Sequence, residues 1–307
     1  MLSEVRRATL LNIPVNSETL PHILERTRDT DTTLRKFVYN NVLVPNVLLL
    51  DTDRMGPAHP RAMSITQREV IIRNGLGDRE ITVRNAAASL LGRWVEAVTE
   101  TVPKEEGGEK PKPKVHSGLV ALLKMLDLSD RVVPVDALLS LFATKPDIFD
   151  NMEFDGKPCS FLVHAGIDRS ILARIDEYWA ALTPETAFLA RVFVEHCRDS
   201  KDPKDQARLE AALPVVTFMA FRVQEAYNGL MESVHSVEEE KLMRDFDEQE
   251  QTKVDEERHE KEFIIGEMLK LAVNLDYSDE IGRRKMFQLV RGSFSSFPSL
   301  LLVAHRD

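Results

Sequence analysis

Residues 65–98 read ITQREVIIRNGLGDREITVRNAAASLLGRWVEAV, and their pattern indicates the fold class. On both sides of the turn at 75–78, apolar residues recur at the three- and four-residue spacing of an amphipathic helix. Glycine in the turn suits the end of one helix, and the aspartate after it suits the start of the next. The stretch therefore predicts two helices joined by a short turn. The apolar positions are Ile65, Val70 and Ile71, then Leu90, Leu91, Trp94, Val95 and Val98.

The same helical periodicity runs through most of the chain, and few segments alternate with a period of two. An apolar residue followed by arginine stands early in three helix-like segments, at Arg6, Arg35 and Arg84, which lie 29 and 49 residues apart. These intervals straddle the roughly 40 to 47 residues of HEAT and armadillo repeats. The sequence therefore predicts an all-α fold, a HEAT-repeat α-solenoid of stacked antiparallel helix pairs.

These repeated arginines have a structural interpretation. Asp31 and Asp78 precede two of the segments and can cap the helices that follow. In stacked repeats the apolar residue enters the core, and the arginine after it can reach the acid of a neighbouring turn. On this hypothesis the arginines form a structural ladder between repeats and are not available to a ligand.

Charge is unevenly distributed along the chain. The net charge of −10 and the pI of about 5.4 argue, as averages, against a nucleic-acid binder. Residues 232–262 hold thirteen acidic and five basic side chains, a net −8, so the rest of the chain carries only about −2. Residues 54–93 hold seven arginines against three acids, a net +4. A basic surface that binds phosphates is therefore compatible with the acidic average.

Composition divides the chain into five segments. Proline, glycine and charge dominate one stretch, and acidic residues dominate another, so neither is expected to contribute to a core. We predict HEAT repeats with basic helices over 1–100, a flexible Pro/Lys/Glu loop over 101–116, HEAT repeats over 117–235, an acidic exposed helix or insert over 236–262, and HEAT-type helices over 263–307 in a solenoid that continues beyond them.

The sequence contains no motif for catalysis or metal binding: no Gly-rich phosphate loop, nucleophile elbow, zinc-spaced cysteine pair or His-Glu-x-x-His helix. Two cysteines and no leader predict a reducing, intracellular compartment. No apolar run approaches the roughly 20 residues of a membrane helix. We therefore expect no catalytic residue, metal, cofactor or membrane partner. An enzyme would have to gather scattered groups such as His164, Asp168 and His196 in one pocket.

Several motifs in a fixed order carry a family resemblance. They are PRAMSITQR at 60–68, NGLGDR at 74–79, LTPETA at 182–187, KEFIIG at 261–266 and GRRK at 282–285. Together they resemble the condensin CAP-G (condensin subunit 3) family along nearly the whole chain. The acidic stretch and the Pro/Lys loop match no family pattern.

The resemblance implies a function without catalysis. Members of this family are HEAT solenoids that bind the kleisin subunit of condensin and double-stranded DNA, without sequence specificity, in mitotic chromosome condensation. ATP hydrolysis belongs to the SMC ATPase subunits, which are indirect partners. The resemblance also implies a nuclear and chromosomal location, with a cytoplasmic pool.

The resemblance also nominates DNA-phosphate contacts. Arg61 and Arg68 are the first candidates, followed by Arg35, Lys36, Arg73 and Arg84. Arg283, Arg284 and Lys285 match a basic family block that fits a partner contact, a DNA contact or packing between repeats. The alternative function is a HEAT or armadillo adaptor of another class, which binds peptides or proteins and no DNA.

Overall fold

The structure is a computed structural model that describes residues 3–49, 54–100, 115–145, 181–214, 216–243 and 248–293. It divides into two compact units, Met1–Met152 and Glu153–Asp307. Over the described ranges the chain is helical, and its single β pairing there is an isolated antiparallel bridge between Leu48 and Met55. The all-α prediction is confirmed. None of the described helices is long and apolar enough to cross a membrane.

The first unit has seven α-helices in its described residues. They are α1 (Ser3–Asn12), α2 (Leu20–Glu25), α3 (Thr32–Phe37), α4 (Ile65–Leu76), α5 (Ile81–Glu100), α6 (Val115–Leu123) and α7 (Val132–Thr144). A π-helical stretch, Val38–Leu43, extends α3. The predicted loop falls mostly on residues 101–114, which lie outside the described residues.

The α4–α5 hairpin is specified by its ends. The hydroxyl of Ser64 accepts the Gln67 N–H (3.2 Å) and the Gln67 side chain accepts the Ser64 N–H (3.0 Å), a reciprocal capping box. Gly77 is the C-cap of α4. The Asp78 carboxylate then accepts the Glu80 N–H (2.8 Å) just before α5. The helix–turn–helix predicted from this stretch is confirmed.

The core of the first unit lies between α3 with its π-helical extension, α4 and α5. A β-carbon at Gly75 would collide with Ala87 and lie 2.8 Å from the Tyr39 hydroxyl, so this close approach requires glycine. Trp94 is fully buried, and its indole N–H donates to the Ala58 carbonyl (3.0 Å). That bond ties α5 to the segment that precedes α4.

The second unit has five α-helices in its described residues. They are α8 (Pro184–Asp199), α9 (Pro203–Ala212), α10 (Val216–Met243), α11 (Glu248–Ala272) and α12 (Glu280–Ser293). α10 packs on α11 and α12, and α8 packs on α9 and α11. The core residues on α8 include Phe188 and Phe193, both fully buried.

The acidic stretch is helical where it is described. Residues 236–243 end α10 and residues 248–262 begin α11. Residues 255–260 are all exposed, and Lys261 donates to the Ser233 hydroxyl, which pairs the two helices at the base of this stretch. Like charges on an exposed helix remain solvated, so this part of α11 needs no buried partner.

Candidate nucleic-acid interface

Arg35 is buried in an ion pair. Its guanidinium donates to both carboxylate oxygens of Asp78, from Nε to Oδ2 (2.6 Å) and from Nη2 to Oδ1 (2.9 Å), and from Nη1 to the Asp29 carbonyl (2.9 Å). Both side chains are almost wholly buried. The two remaining N–H groups of Arg35 face the Thr30 carbonyl and the Thr32 hydroxyl at 3.5 Å, so this buried guanidinium has no donor left for an external phosphate.

Arg6 forms a similar ion pair, with Asp29 in the turn before α3. Its Nε lies 2.9 Å from Oδ2 of Asp29, whose side chain is also buried. Arg6 and Arg35 thus each bind the aspartate of a later turn, at Asp29 and Asp78. The structural ladder is confirmed for these two arginines, and the expectation that Arg35 contacts DNA is not supported by its burial.

Arg68 is the second of the two first candidates, and it is also buried, at 6% exposure. Its Nε donates to the Met125 carbonyl (2.7 Å), and its Nη1 donates to the carbonyls of Pro60 (2.7 Å) and Met63. Burial lowers the pKa of Arg68, although the group stays cationic at any physiological pH. Arg68 therefore joins α4, the turn before it and the segment after α6, which is a structural role in place of the expected phosphate contact.

Arg61 lies on the turn that Arg68 fixes. It is exposed, and its backbone N–H donates to Nδ1 of His59 (3.1 Å), which caps the short 3-10 turn Pro60–Ala62. His59 itself is fully buried, and this burial, followed by the nearby Arg61, lowers the pKa of the imidazole. The neutral His59 ring, which accepts at Nδ1, and the buried Arg68 guanidinium together fix this turn, so Arg61 is held at the surface.

The three weaker candidates other than Arg35 differ from one another. Lys36 is exposed in the last turn of α3. Arg73 is 54% exposed and binds Asp130 through Nη2 (2.7 Å). Arg84 donates from Nη1 to the Asp78 carbonyl (2.7 Å), so the structure brings Arg35 and Arg84 together at one turn. Lys36 and Arg61 are thus the candidates whose charged groups are most open to a ligand.

The basic block near the end of the chain lies on α12. Arg283, Arg284 and Lys285 are all exposed. Arg284 binds Glu280 one turn earlier (2.6 Å), an exposed pair that contributes little stability. These three residues belong to the second unit.

Sequence reasoning missed the most deeply buried ion pair among the described residues. Arg191 on α8 donates to Glu267 on α11 and lies 2.6 Å from Glu195. The signal was present, because both residues interrupt apolar runs, AFLARVFV at 187–194 and IIGEMLKLA at 264–272. A charge inside an apolar helical run needs a buried partner of opposite charge.

Metal and enzyme sites find no support in the described residues. No group of three His, Cys, Asp or Glu side chains there could hold a metal ion. His196 is half-buried on α8, while His164 and Asp168 lie outside the described ranges. Cys197 is fully buried, as expected of an ordinary thiol.

The ladder makes the stability of the first unit sensitive to acid. The bond from Arg35 holds the pKa of Asp78 below its usual range, so the carboxylate stabilises the fold above about pH 4 and loses this effect as pH falls through the lowered pKa. We expect Asp78→Asn to cost about 2 kcal/mol at pH 7. The difference from the unchanged chain should shrink below about pH 4.

Urea unfolding between pH 2.5 and pH 7 measures this dependence. Asp130→Asn is the matched control, because Asp130 forms an exposed pair with Arg73 and should cost little at any pH. A pH-independent effect of Asp78→Asn would contradict the assignment of the ion pair.

Comparison with known proteins gives the family context. No protein-family model matches the chain. It is 30% identical to condensin complex subunit 3 of Schizosaccharomyces pombe over 99% of this chain and 27% of that protein. It is 29% identical to the Saccharomyces cerevisiae protein of the same name over 94% of this chain and 22% of that one. Its structure resembles a crystal structure of the S. pombe condensin Cnd3–Cnd2 subcomplex, with a TM-score of 0.69 and 29% identity over 99% of this chain and 32% of that one.

The chain spans about a quarter of the length of the curated relatives that it matches. Sequence and structure nevertheless agree along almost all of its own length. This agreement confirms the HEAT-repeat solenoid class that the repeated helix pairs indicated, and it confirms the resemblance to condensin subunit 3. Over almost all of its own length, the chain is similar to part of the condensin subunit 3 proteins.

Proposed function

We propose that this chain is a non-enzymatic scaffold segment of condensin that binds the kleisin subunit and double-stranded DNA during mitotic chromosome condensation. The observation that carries the proposal is the match over 99% of the chain to the structure of the S. pombe Cnd3–Cnd2 subcomplex, in which Cnd2 is the kleisin. The proposal implies a nuclear and chromosomal location. The SMC subunits would be joined to this scaffold only through the kleisin.

The DNA contact is assigned to cations that remain at the surface. Arg61 and Lys36 are its first members, and Arg73 joins them by exchanging Asp130 for a phosphate. Such contacts neutralise the DNA backbone without reading bases, so the affinity should be indifferent to sequence and steeply salt-dependent. Arg35 and Arg68 are left out because their guanidinium groups are bound inside the fold.

Binding of labelled double-stranded DNA, followed by fluorescence anisotropy at several salt concentrations, tests this assignment with and without the kleisin segment. We expect binding that weakens with salt and tightens with the kleisin. Arg61→Glu should reduce affinity by about tenfold and lower the salt slope by about one, because it removes one phosphate contact.

Arg79→Glu is the matched control for this experiment. Arg79 is 78% exposed on the α4–α5 turn, and its replacement makes the same change in net charge as Arg61→Glu. Equal effects of the two variants would mean that only the average charge matters, and no effect of either would remove Arg61 from the interface.

Two of the six proposed cations, Arg35 and Arg68, are buried, which favours one alternative function. This alternative is an adaptor that binds peptides or proteins and no DNA, because such an adaptor does not need exposed arginines. Binding to the kleisin segment that is insensitive to salt, with no DNA binding under any condition, would support that alternative and overturn the DNA part of the proposal.

A further inference from the structure

The solvent-facing side of α12 carries an exposed phenylalanine among arginines. Phe287 is 65% exposed. Arg283 and Arg284 precede it by four and three residues and Arg291 follows it by four, so all three share its face of the helix. The arginines are exposed as well. We call these four residues the Phe287 patch.

The opposite side of α12 is committed to the core of the second unit. Met286 and Leu289 are buried, and Gly282 lies directly against Val216 of α10. These residues fix α12 to α10 without help from Phe287. The phenyl ring therefore contributes little to the packing of α12 on α10 and is exposed among the described residues.

The Phe287 patch lies at a depression in the protein surface. A shallow depression of about 270 Å³ is lined by Arg283, Arg284, Phe287 and Gln288. Its lining thus combines an aromatic ring with guanidinium groups that suit carboxylates. Arg284 is already oriented by its bond to Glu280, which leaves its remaining donors for a ligand.

We propose that the Phe287 patch binds an acidic segment of a partner protein, in which one large apolar side chain covers the ring and flanking carboxylates pair with the arginines. The occupant follows from charge complementarity, because the patch carries three positive charges around one apolar ring. Aromatic residues and arginine are the residue types that dominate binding energy at the centres of protein interfaces. This site goes beyond the DNA contact proposed above and uses different residues.

Double-stranded DNA explains the patch less well than an acidic segment does. Phosphate contacts need cations and have no use for an exposed phenyl ring, and paired bases are not available for stacking on it. Single-stranded nucleic acid could stack a base on Phe287, and this is the competing outcome of the test.

The test uses the full chain and a labelled helical peptide of about 15 residues with one leucine flanked by glutamates on the same face. We expect saturable binding that Phe287→Ala and the pair Arg284→Glu with Arg291→Glu each weaken by at least about tenfold. Lysine in place of the peptide glutamates should restore binding to the pair of charge reversals. Ile281→Ala is the matched control, because Ile281 is 66% exposed on α12 but is not on the Phe287 face.

Three results would overturn the proposal. The first is equal loss of binding in Phe287→Ala and Ile281→Ala, and the second is undiminished binding to a scrambled peptide of the same composition. The third is tighter, Phe287-dependent binding of a single-stranded thymidine oligonucleotide, which would assign the patch to base stacking. A failure here with salt-dependent, Arg61-dependent DNA binding intact would overturn this inference alone.

Discussion

Replacing Arg191 with methionine is expected to destabilise the second unit by about 3–5 kcal/mol. Arg191 bonds to Glu267, and both side chains are almost completely buried between α8 and α11. The change leaves the Glu267 carboxylate in the core, where Lys270, 3.9 Å away, offsets only part of the lost interaction. The guanidinium also covers the Phe188 ring, at 5.0 Å from its centroid, and that packing is lost as well.

Urea unfolding followed by circular dichroism measures this loss, with the transition of the second unit as the readout. Arg258→Met is the matched control, because Arg258 pairs with Glu262 on the exposed part of α11 and should cost less than about 1 kcal/mol. Combining Arg191→Met with Glu267→Leu should recover part of the loss, since no carboxylate is then buried without the guanidinium, while Lys270 loses its nearby acid and keeps the recovery incomplete. Equal costs for Arg191→Met and Arg258→Met would contradict the buried pair.

The helix pairs could be predicted because their determinants are local. The Ser64–Gln67 capping box, the glycine at 77 and the aspartate at 78 all lie within one hairpin, and each acts on backbone groups a few residues away. The ladder was also within reach, because acid and arginine recur in each segment. Its pairing of Arg35 with Asp78 joins residues 43 apart, which matches the length of one repeat.

The role of individual arginines could not be predicted in the same way. Arg61 and Arg68 lie in one motif and look equivalent as DNA contacts in the sequence. Arg68 is distinguished only by its carbonyl acceptors, one of which, at Met125, is 57 residues away. Main-chain acceptors carry no signature in the sequence, because every residue has a carbonyl. In the first unit, tertiary structure alone therefore determines that Arg61 is exposed and Arg68 is buried.

Arg68→Met is accordingly expected to destabilise the first unit by about 3–5 kcal/mol, because it leaves three main-chain carbonyls without their donor and each such loss costs about 1–3 kcal/mol. Arg68→Lys should recover part of this loss, since one ammonium group can reach some but not all of the divergent acceptors. Urea unfolding of the first unit gives the measurement. Arg73→Met, five residues later on α4 and 54% exposed, is the matched control and should cost less than about 1 kcal/mol.

The burial of Arg68 also determines which variants can test the DNA interface. A joint charge reversal at Arg61 and Arg68 would place a carboxylate against the three carbonyls that Arg68 now binds, so a lost Arg61 contact could not be told apart from an altered turn. The single Arg61→Glu variant changes the surface and leaves that turn intact. If Arg68→Met instead proved as stable as Arg73→Met, the carbonyl contacts of Arg68 would be dispensable, and Arg68 would return to the set of cations open to a phosphate.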